Sequence, residues 1–357
     1  MEKNKIALVT YSLSKGGLER VVANSTFLFH KMGYNVHLYV LESQIDYPFV
    51  GNLHHYKIDR LNAIEKMKVY FKIKKSFIDN RFDLIIDHRY RLNPLTEIIW
   101  QKVIYKKQKT VHYIHSSNVY NYLFHSRLFN DFLFGNKSFV CVSKGIEKIV
   151  NNHFPKLNAQ TIYNVVTIEN IIIDRPEKEL FILSISRMDE SNVKQVDVLL
   201  KCYAKSILPS LNIRLIVLGE GVRWEEMKSL SVQLGISHLV DFKGFVSNPY
   251  SYLKQALFTV LTSKYEGLPT VLIESLLCGT PVVSFDCPTG PNEIIDHQFN
   301  GLLIENQNTG KLIEGMNLLV KDKVLYAFLK QNTEKTVEKF TIERISAQWA
   351  DLINDIH

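Results

Sequence analysis

The sequence predicts an α/β chain of two Rossmann-like domains, each a parallel sheet covered by helices on both faces. Three observations lead there. Its 357 residues exceed what one ordinary core organises and suit two domains of usual size. Short apolar, β-rich runs alternate with amphipathic stretches along the whole length, the pattern of parallel sheets. The alternation also restarts near the middle, past a linker over Asn164–Glu179 in which Asp174-Arg175-Pro176 breaks regular structure.

In the first half, strands are expected at Lys5–Thr10, Asn35–Leu41, Asp83–Asp87, Thr110–His115 and Ser138–Ser143. Glu19–Met32 reads as a helix because Val21, Val22, Ser25, Leu28 and Phe29 fall at near-helical spacing. The second half predicts strands at Leu180–Ser186, Ile213–Gly219, Leu239–Phe242, Leu257–Thr262 and Pro281–Phe285. Helices are expected at Val196–Ser206, Trp224–Leu234, Thr270–Cys278 and Gly310–Val320. Thr341–His357 is one more amphipathic helix, containing Trp349. Doubly wound sheets bind ligands beyond the carboxyl ends of their strands. Two such domains facing each other are expected to form a cleft lined by those loops.

Composition excludes several classes. Hydrophobic residues make up 46% and charged residues 22%, as in soluble globular enzymes. Cys141, Cys202, Cys278 and Cys287 are scattered, with no C-x-x-C pair and no histidine at metal-ligand spacing. That argues against a disulfide framework or zinc site and fits a reducing compartment. The N-terminus runs straight into Ile6–Val9, an apolar run too short for a signal segment. No stretch reaches the roughly 18 apolar residues of a membrane span, so a cytoplasmic location is expected. The net charge of +7 is uneven: residues 1–170 hold 24 Lys and Arg against 13 Asp and Glu, while the remainder is mildly acidic. A basic first half suits an anionic partner, and chance surface charge explains it equally well.

Four loops after predicted strands carry candidate chemistry. Gly16-Gly17, before the first helix, lets backbone approach a ligand and offers helix N–H groups to a phosphate, or is simply a turn. It has neither dinucleotide G-x-G-x-x-G nor P-loop spacing. Arg187 and Lys194, past the first strand of the second half, suit a diphosphate or are ordinary surface cations. Gly219-Glu220-Gly221 admits a ligand or forms a tight turn. Glu266-Gly267-Leu268-Pro269 leads into a helix containing Glu274, with Pro269 suited to the first turn. The N–H groups of Thr270, Val271 and Leu272 are expected to be unpaired donors there. Two carboxylates so placed can accept bonds from hydroxyls at separate parts of an elongated ligand such as a sugar nucleotide.

With these residues in view, the chain resembles the family-4 glycosyltransferases of GT-B fold, through the E-x7-E signature of Glu266 and Glu274. Cys278-Gly279-Thr280-Pro281-Val282-Val283 and Asp286-Cys287-Pro288-Thr289-Gly290-Pro291-Asn292-Glu293 continue the match. They resemble bacterial enzymes building surface polysaccharides and lipid-linked oligosaccharides. Gly16-Gly17-Leu18-Glu19-Arg20, Arg187 with Lys194, Gly219-Glu220-Gly221 and Phe242-Lys243-Gly244-Phe245-Val246 follow the family's order.

The resemblance implies an acceptor-binding domain over 1–168, a donor-binding domain over 169–338, and a final helix, 339–357, returning to the first. It implies that Arg187 and Lys194 hold the donor diphosphate, with Gly16 and Gly17 beside the same phosphates. Glu274 would bond the ribose hydroxyls, and Glu266 the transferred sugar. Gly219, Gly267, Leu268, Thr270 and Val271 line the donor, Phe245 and Val246 lie by the base, and His115 lies near the sugar's C6 end. Glu266, Arg187, Lys194 and His115 are the catalytic candidates. Two departures stand out: the Arg187-to-Lys194 spacing is two residues longer than usual, and Ser116 follows His115 where Asp is common.

The implied reaction is retaining transfer of a hexose or N-acetylhexosamine from a UDP-sugar to a lipid-linked or glycan acceptor. GDP-mannose is the alternative donor, and sugar-nucleotide epimerisation a more distant alternative. No D-x-D triplet occurs, so no metal and no cofactor are expected. Lys66–Lys75, Trp100–Lys109 and Tyr120–Phe134 mix cations or aromatics with apolar residues. They suit peripheral binding to an anionic membrane, or are half-buried helices with lysine-bearing faces. The basic, aromatic half also admits a nucleic-acid reading, which leaves the E-x7-E helix unexplained; no nucleic-acid partner is expected.

Overall fold

A computed structural model describes residues 4–14, 16–135, 137–166, 177 and 179–356. It divides into two compact units: Met1–Val165 with Thr341–His357, and Val166–Phe340. The expected linker breaker Asp174-Arg175-Pro176 and the expected boundary at 168–169 lie outside the described residues.

The first unit comprises β1 (Lys5–Thr10), α1 (Gly17–Lys31), β2 (Asn35–Val40), β3 (Asn52–His55), α2 (Ala63–Asn80), β4 (Leu84–Asp87) and α3 (Pro94–Ile99). It continues through β5 (Thr110–Ile114), α4 (Arg127–Phe134), β6 (Ser138–Cys141), α5 (Lys144–His153) and β7 (Asn158–Thr161). The strands form one parallel sheet in the order β3-β2-β1-β4-β5-β6-β7. The order reverses between β1 and β4, so the loops after these two strands flank the switch point.

Parallel sheets are buried on both faces, and Ile6, Ala7, Leu8 and Val9 are correspondingly all 0% exposed. The polar strands β3 and β7, absent from the sequence expectation, are the two edges, where one side lacks a covering neighbour and apolar side chains are not required. The Trp100–Lys109 stretch is not a surface helix. Trp100–Ile104 forms a π-helical turn after α3, and Trp100, Ile104 and Tyr105 are core.

The second unit comprises β8 (Phe181–Ile185), α6 (Val196–Lys205), β9 (Arg214–Leu218), α7 (Trp224–Gln233), β10 (Val240–Gly244), α8 (Tyr250–Gln255) and β11 (Thr259–Leu261). It is completed by α9 (Thr270–Leu277), β12 (Val282–Phe285), α10 (Pro291–Ile294), β13 (Gly301–Ile304), α11 (Thr309–Lys321) and α12 (Lys323–Asn332). The parallel order is β10-β9-β8-β11-β12-β13, reversing between β8 and β11. One core cluster joins Leu199, Leu215 and Met316, and a second joins Leu183, Leu218 and Leu253. The chain ends in α13 (Ile342–Ile356), which belongs to the first unit. There Trp349, 1% exposed, meets the Phe29 ring edge-on at 5.0 Å. Among the described residues no helix is long and apolar enough to cross a membrane.

Candidate functional site

In the second unit, the loops after β8 and β11 leave adjacent strands at the reversal point, and their side chains meet. Lys194 Nζ donates to Glu266 Oε1 at 2.5 Å, and Ser263 Oγ donates to the same oxygen at 2.6 Å. Both bonds fall on Oε1, which leaves the Oε2 lone pairs as further acceptor capacity. The Lys194 side chain is 27% exposed and that of Glu266 10%. The ion pair is therefore partly withdrawn from water yet open to a ligand.

Backbone contacts fix the pair. Thr262 Oγ1 donates to the carbonyls of Lys194 (3.0 Å) and Gln195 (3.1 Å), and Lys264 N–H to Val193 O (2.8 Å). The lengthened Arg187-to-Lys194 loop turns back through Asn192 and Gln195, at φ +50° and +48°. Asn192 N–H closes the turn on Asp189 O at 3.2 Å. The turn brings Lys194 to Glu266 despite the longer spacing.

Arg187 takes a different partner. Its guanidinium pairs with Asp189 at 2.9 Å, and its side chain is 62% exposed. Burial opposes the charge on Asp189, but Ser191 and Arg187 outweigh it and hold the carboxyl below the usual range. Glu274 sits in the second turn of α9, 3% exposed. The start of α9 has no side-chain cap. Leu272 N–H is not an unpaired donor as expected: it bonds Pro269 O at 3.0 Å, a tight first turn set by the proline. Leu268 is buried, and Thr289 Oγ1 donates to the carbonyls of Glu266 (3.1 Å) and Gly267 (3.0 Å), shaping the approach to Thr270 and Val271.

Two glycine positions set the neighbouring loops. Gly219 has φ +127°, and a Cβ there would lie 2.3 Å from Ser186 O. It therefore lets the β9 loop run against the β8 loop. Gly219 N–H bonds Gly244 O at 2.7 Å, which carries the chain into Phe245 and Val246. Both are half-buried, and Val246 packs against the core cluster of Leu183, Leu218 and Leu253.

In the first unit, Gly16 caps α1 at φ −125°. Gly17 needs no left-handed backbone, and a Cβ on it would meet nothing within 4 Å. A Cβ on Gly16 would instead lie 1.9 Å from Glu19 Oε2, so a side chain must displace that carboxylate at 16 and displaces nothing at 17. Lys15 lies outside the described residues. His115 follows β5, with its Nε2 3.0 Å from His88 Nδ1. Burial, then His88 and Arg91, push its pKa well below the ordinary histidine value.

A buried charge network around the loop after β4 went unread in the sequence. Arg89 forms a bidentate pair with Asp87, both bonds 2.9 Å, and lies 3.7 Å over the Trp100 ring. Arg91 reaches Asp87 Oδ2 (3.5 Å), and Glu97 faces both arginines (3.4 and 3.7 Å). Burial opposes the Asp87 charge, but Arg89 and Arg91 hold its carboxyl far below the usual range. Among the described residues no acidic, histidine or cysteine group is clustered to hold a metal ion.

Residues 167–336 match the family model described as glycosyl transferases group 1. The chain is 28% identical, over 96% of its length and 97% of the relative, to a Campylobacter jejuni enzyme. That relative is N-acetylgalactosamine-N,N'-diacetylbacillosaminyl-diphospho-undecaprenol 4-alpha-N-acetylgalactosaminyltransferase. A second C. jejuni protein, an undecaprenol-linked GalNAc alpha-1,4-N-acetyl-D-galactosaminyltransferase, is 25% identical over 99% of both chains. Among solved structures, TarM of S. aureus, crystallised with UDP, superposes with TM-score 0.79 at 15% identity, covering 99% of this chain and 100% of that one.

Proposed function

We propose, from the premise that this chain is a GT-B glycosyltransferase resembling bacterial surface-polysaccharide transferases, that it moves an N-acetylhexosamine or hexose from a UDP-sugar to a lipid-linked glycan. The observation that carries the reading is the Lys194–Glu266 pair at the strand-order reversal, a cation and an acceptor carboxylate side by side. A donor offers matching chemistry: diphosphate for the lysine, sugar hydroxyls for the free carboxylate oxygen. The full-length C. jejuni relatives, which act on undecaprenol-linked substrates, favour an N-acetylhexosamine and a polyprenyl-linked acceptor.

The roles follow the chemistry of each group. Arg187 and Lys194 neutralise the diphosphate and stabilise it as it leaves. Glu274 accepts from the ribose hydroxyls and Glu266 from the sugar. Phe245 and Val246 flank the base, and Gly17 leaves room for a phosphate. His115 meets the transferred sugar as a neutral imidazole. Transfer is retaining and needs no metal. The bond from the anomeric carbon to the phosphate oxygen breaks as the acceptor oxygen bonds the same face, and the acceptor proton passes to the leaving phosphate.

A thermal-shift screen across nucleotide sugars, followed by transfer to a polyprenyl diphosphate-linked glycan, tests the reading. A UDP-N-acetylhexosamine raising Tm and supporting transfer is expected. Stabilisation by GDP-mannose alone overturns the donor, and conversion of the donor sugar without acceptor overturns transfer in favour of epimerisation.

A further inference from the structure

The first unit brings two imidazoles together at the ends of neighbouring parallel strands, His88 after β4 and His115 after β5. Their Nδ1 and Nε2 atoms are 3.0 Å apart, a hydrogen bond with one proton between two ring nitrogens. His88 is 0% exposed, its backbone N–H is bonded to Val9 O at 2.9 Å, and its ring stacks on Tyr113 with centroids 4.4 Å apart. The ring is therefore held in place, and its other nitrogen decides the direction of the bond. Among the described residues, His88 Nε2 is buried with no hydrogen-bond partner. A buried N–H without an acceptor is costlier and rarer than an unused lone pair. His88 thus carries its proton on Nδ1 and donates it to His115.

We infer that His88 is a positioning residue that fixes His115 as the Nδ1–H tautomer. His115 Nε2 is occupied as the acceptor, so its remaining ring nitrogen is a donor N–H and not a base. A ligand oxygen then meets a hydrogen-bond donor of fixed orientation, and the imidazole takes no proton from it. The consequence for transfer rests on the proposed role of His115, whereas the tautomer itself does not.

The test separates the two. Full-length protein labelled with nitrogen-15 histidine gives long-range proton–nitrogen spectra, in which a His115→Gln variant assigns the His115 ring. An Nδ1–H pattern for His115 is expected in the wild type, and an Nε2–H pattern overturns the inference whatever the activity. His88→Asn places an amide N–H where Nδ1–H stood and is expected to keep the His115 pattern and most transfer. His88→Leu is expected to let His115 change tautomer and to lower kcat at least tenfold, with donor KM little changed. His88→Leu retaining both the Nδ1–H pattern and wild-type kcat overturns the positioning role. His115→Ala with wild-type turnover sinks the proposed role of His115 in transfer and leaves the tautomer finding standing.

Discussion

Lys194 and Glu266, 72 residues apart in sequence, form an ion pair joining the loops after β8 and β11 where the strand order reverses. The carboxylate holds the lysine in place before any ligand arrives, and Ser263 holds the carboxylate. A diphosphate can then meet a cation whose side chain is already ordered, which lowers the ordering cost of binding.

Removing either partner is expected to abolish transfer without unfolding the protein. The pair is partly exposed, so its loss costs about 1 kcal/mol or less of stability. Lys194→Met and Arg187→Ala each remove a cation from the leaving group and are expected to lower kcat about 100- to 1000-fold. Glu266→Ala is expected to do the same while freeing Lys194. Steady-state kinetics and urea melts check this, and wild-type turnover in any of the three means that the site lies elsewhere.

Much of this site was legible because it is local. Glu266, Pro269 and Glu274 lie within one loop and the helix it opens, so spacing alone places them. The contact with Lys194 was not legible, since it depends on β8 and β11 becoming neighbours in the sheet. The first unit hid more. Asp87-His88-Arg89-Tyr90-Arg91 reads as a polar surface loop until Glu97 and Trp100, on the next helical turns, enclose it. A run of charges directly after the fully apolar Leu84–Ile86 was the available signal. β3 and β7 escaped because edge strands need no apolar run. β13 (Gly301–Ile304) escaped because a four-residue apolar stretch opening on glycine also reads as a turn.

If cations and helix amides carry the leaving-group charge, a metal is redundant. Turnover in excess EDTA is expected within about twofold of the untreated rate, since no bound ion acts as Lewis acid in this scheme. Complete loss of activity restored by manganese is the contrary result.

Two glycines make opposite predictions. Gly17→Ala adds a methyl group that meets nothing within 4 Å. Stability should change by no more than about 1 kcal/mol, in the stabilising direction, because alanine favours the helix. Donor KM should nevertheless rise, because the methyl group occupies the space assigned to a phosphate. Gly219→Ala forces a side chain to φ +127° and to 2.3 Å from Ser186 O. It should destabilise by about 2 kcal/mol or more, with the structural strain dominating. Equal effects of the two substitutions on Tm would contradict the assignment.

The reading of Lys66–Lys75 as a peripheral membrane contact has a specific surface to test. Tyr70, Ile73 and Phe77 anchor α2 to the core. Its other side exposes Ile64 (71%), Phe71 (56%) and Ile78 (56%), with Lys68, Lys72 and Lys75 among them. Such a row suits the boundary of an anionic bilayer. The protein is expected to float with phosphatidylglycerol liposomes at low salt and to release at high salt. Replacing Phe71 and Ile78 with Glu should weaken binding about tenfold or more, by the apolar burial lost. Failure of the wild type to float removes that reading.

Acid should weaken the first unit before it touches the carboxylates. Burial pushes His88 down to about 3, with Asp87 opposing and Arg91 adding to the shift. Burial, then His54 and Lys5, push His37 down to about 4. In the unfolded chain both return to the ordinary value of 6.5. Above that pH both states are neutral and stability is unaffected. As pH falls through 6.5 the unfolded chain takes protons that the folded one refuses. Stability therefore drops from 6.5 down to about 4 for His37 and about 3 for His88. The slope is about 1.4 kcal/mol per pH unit for each group. Asp87 works in a separate window, because its stabilisation is lost only as pH falls below the ordinary carboxylate value. Trp100 and Trp349 lie in the first unit and Trp224 in the second, so Trp224→Phe leaves fluorescence reporting on the first unit alone. Urea midpoints in that background should fall steadily from pH 7 to pH 5, and His88→Asn should make the fall shallower. Midpoints unchanged over this range would mean that neither histidine is held neutral by the fold.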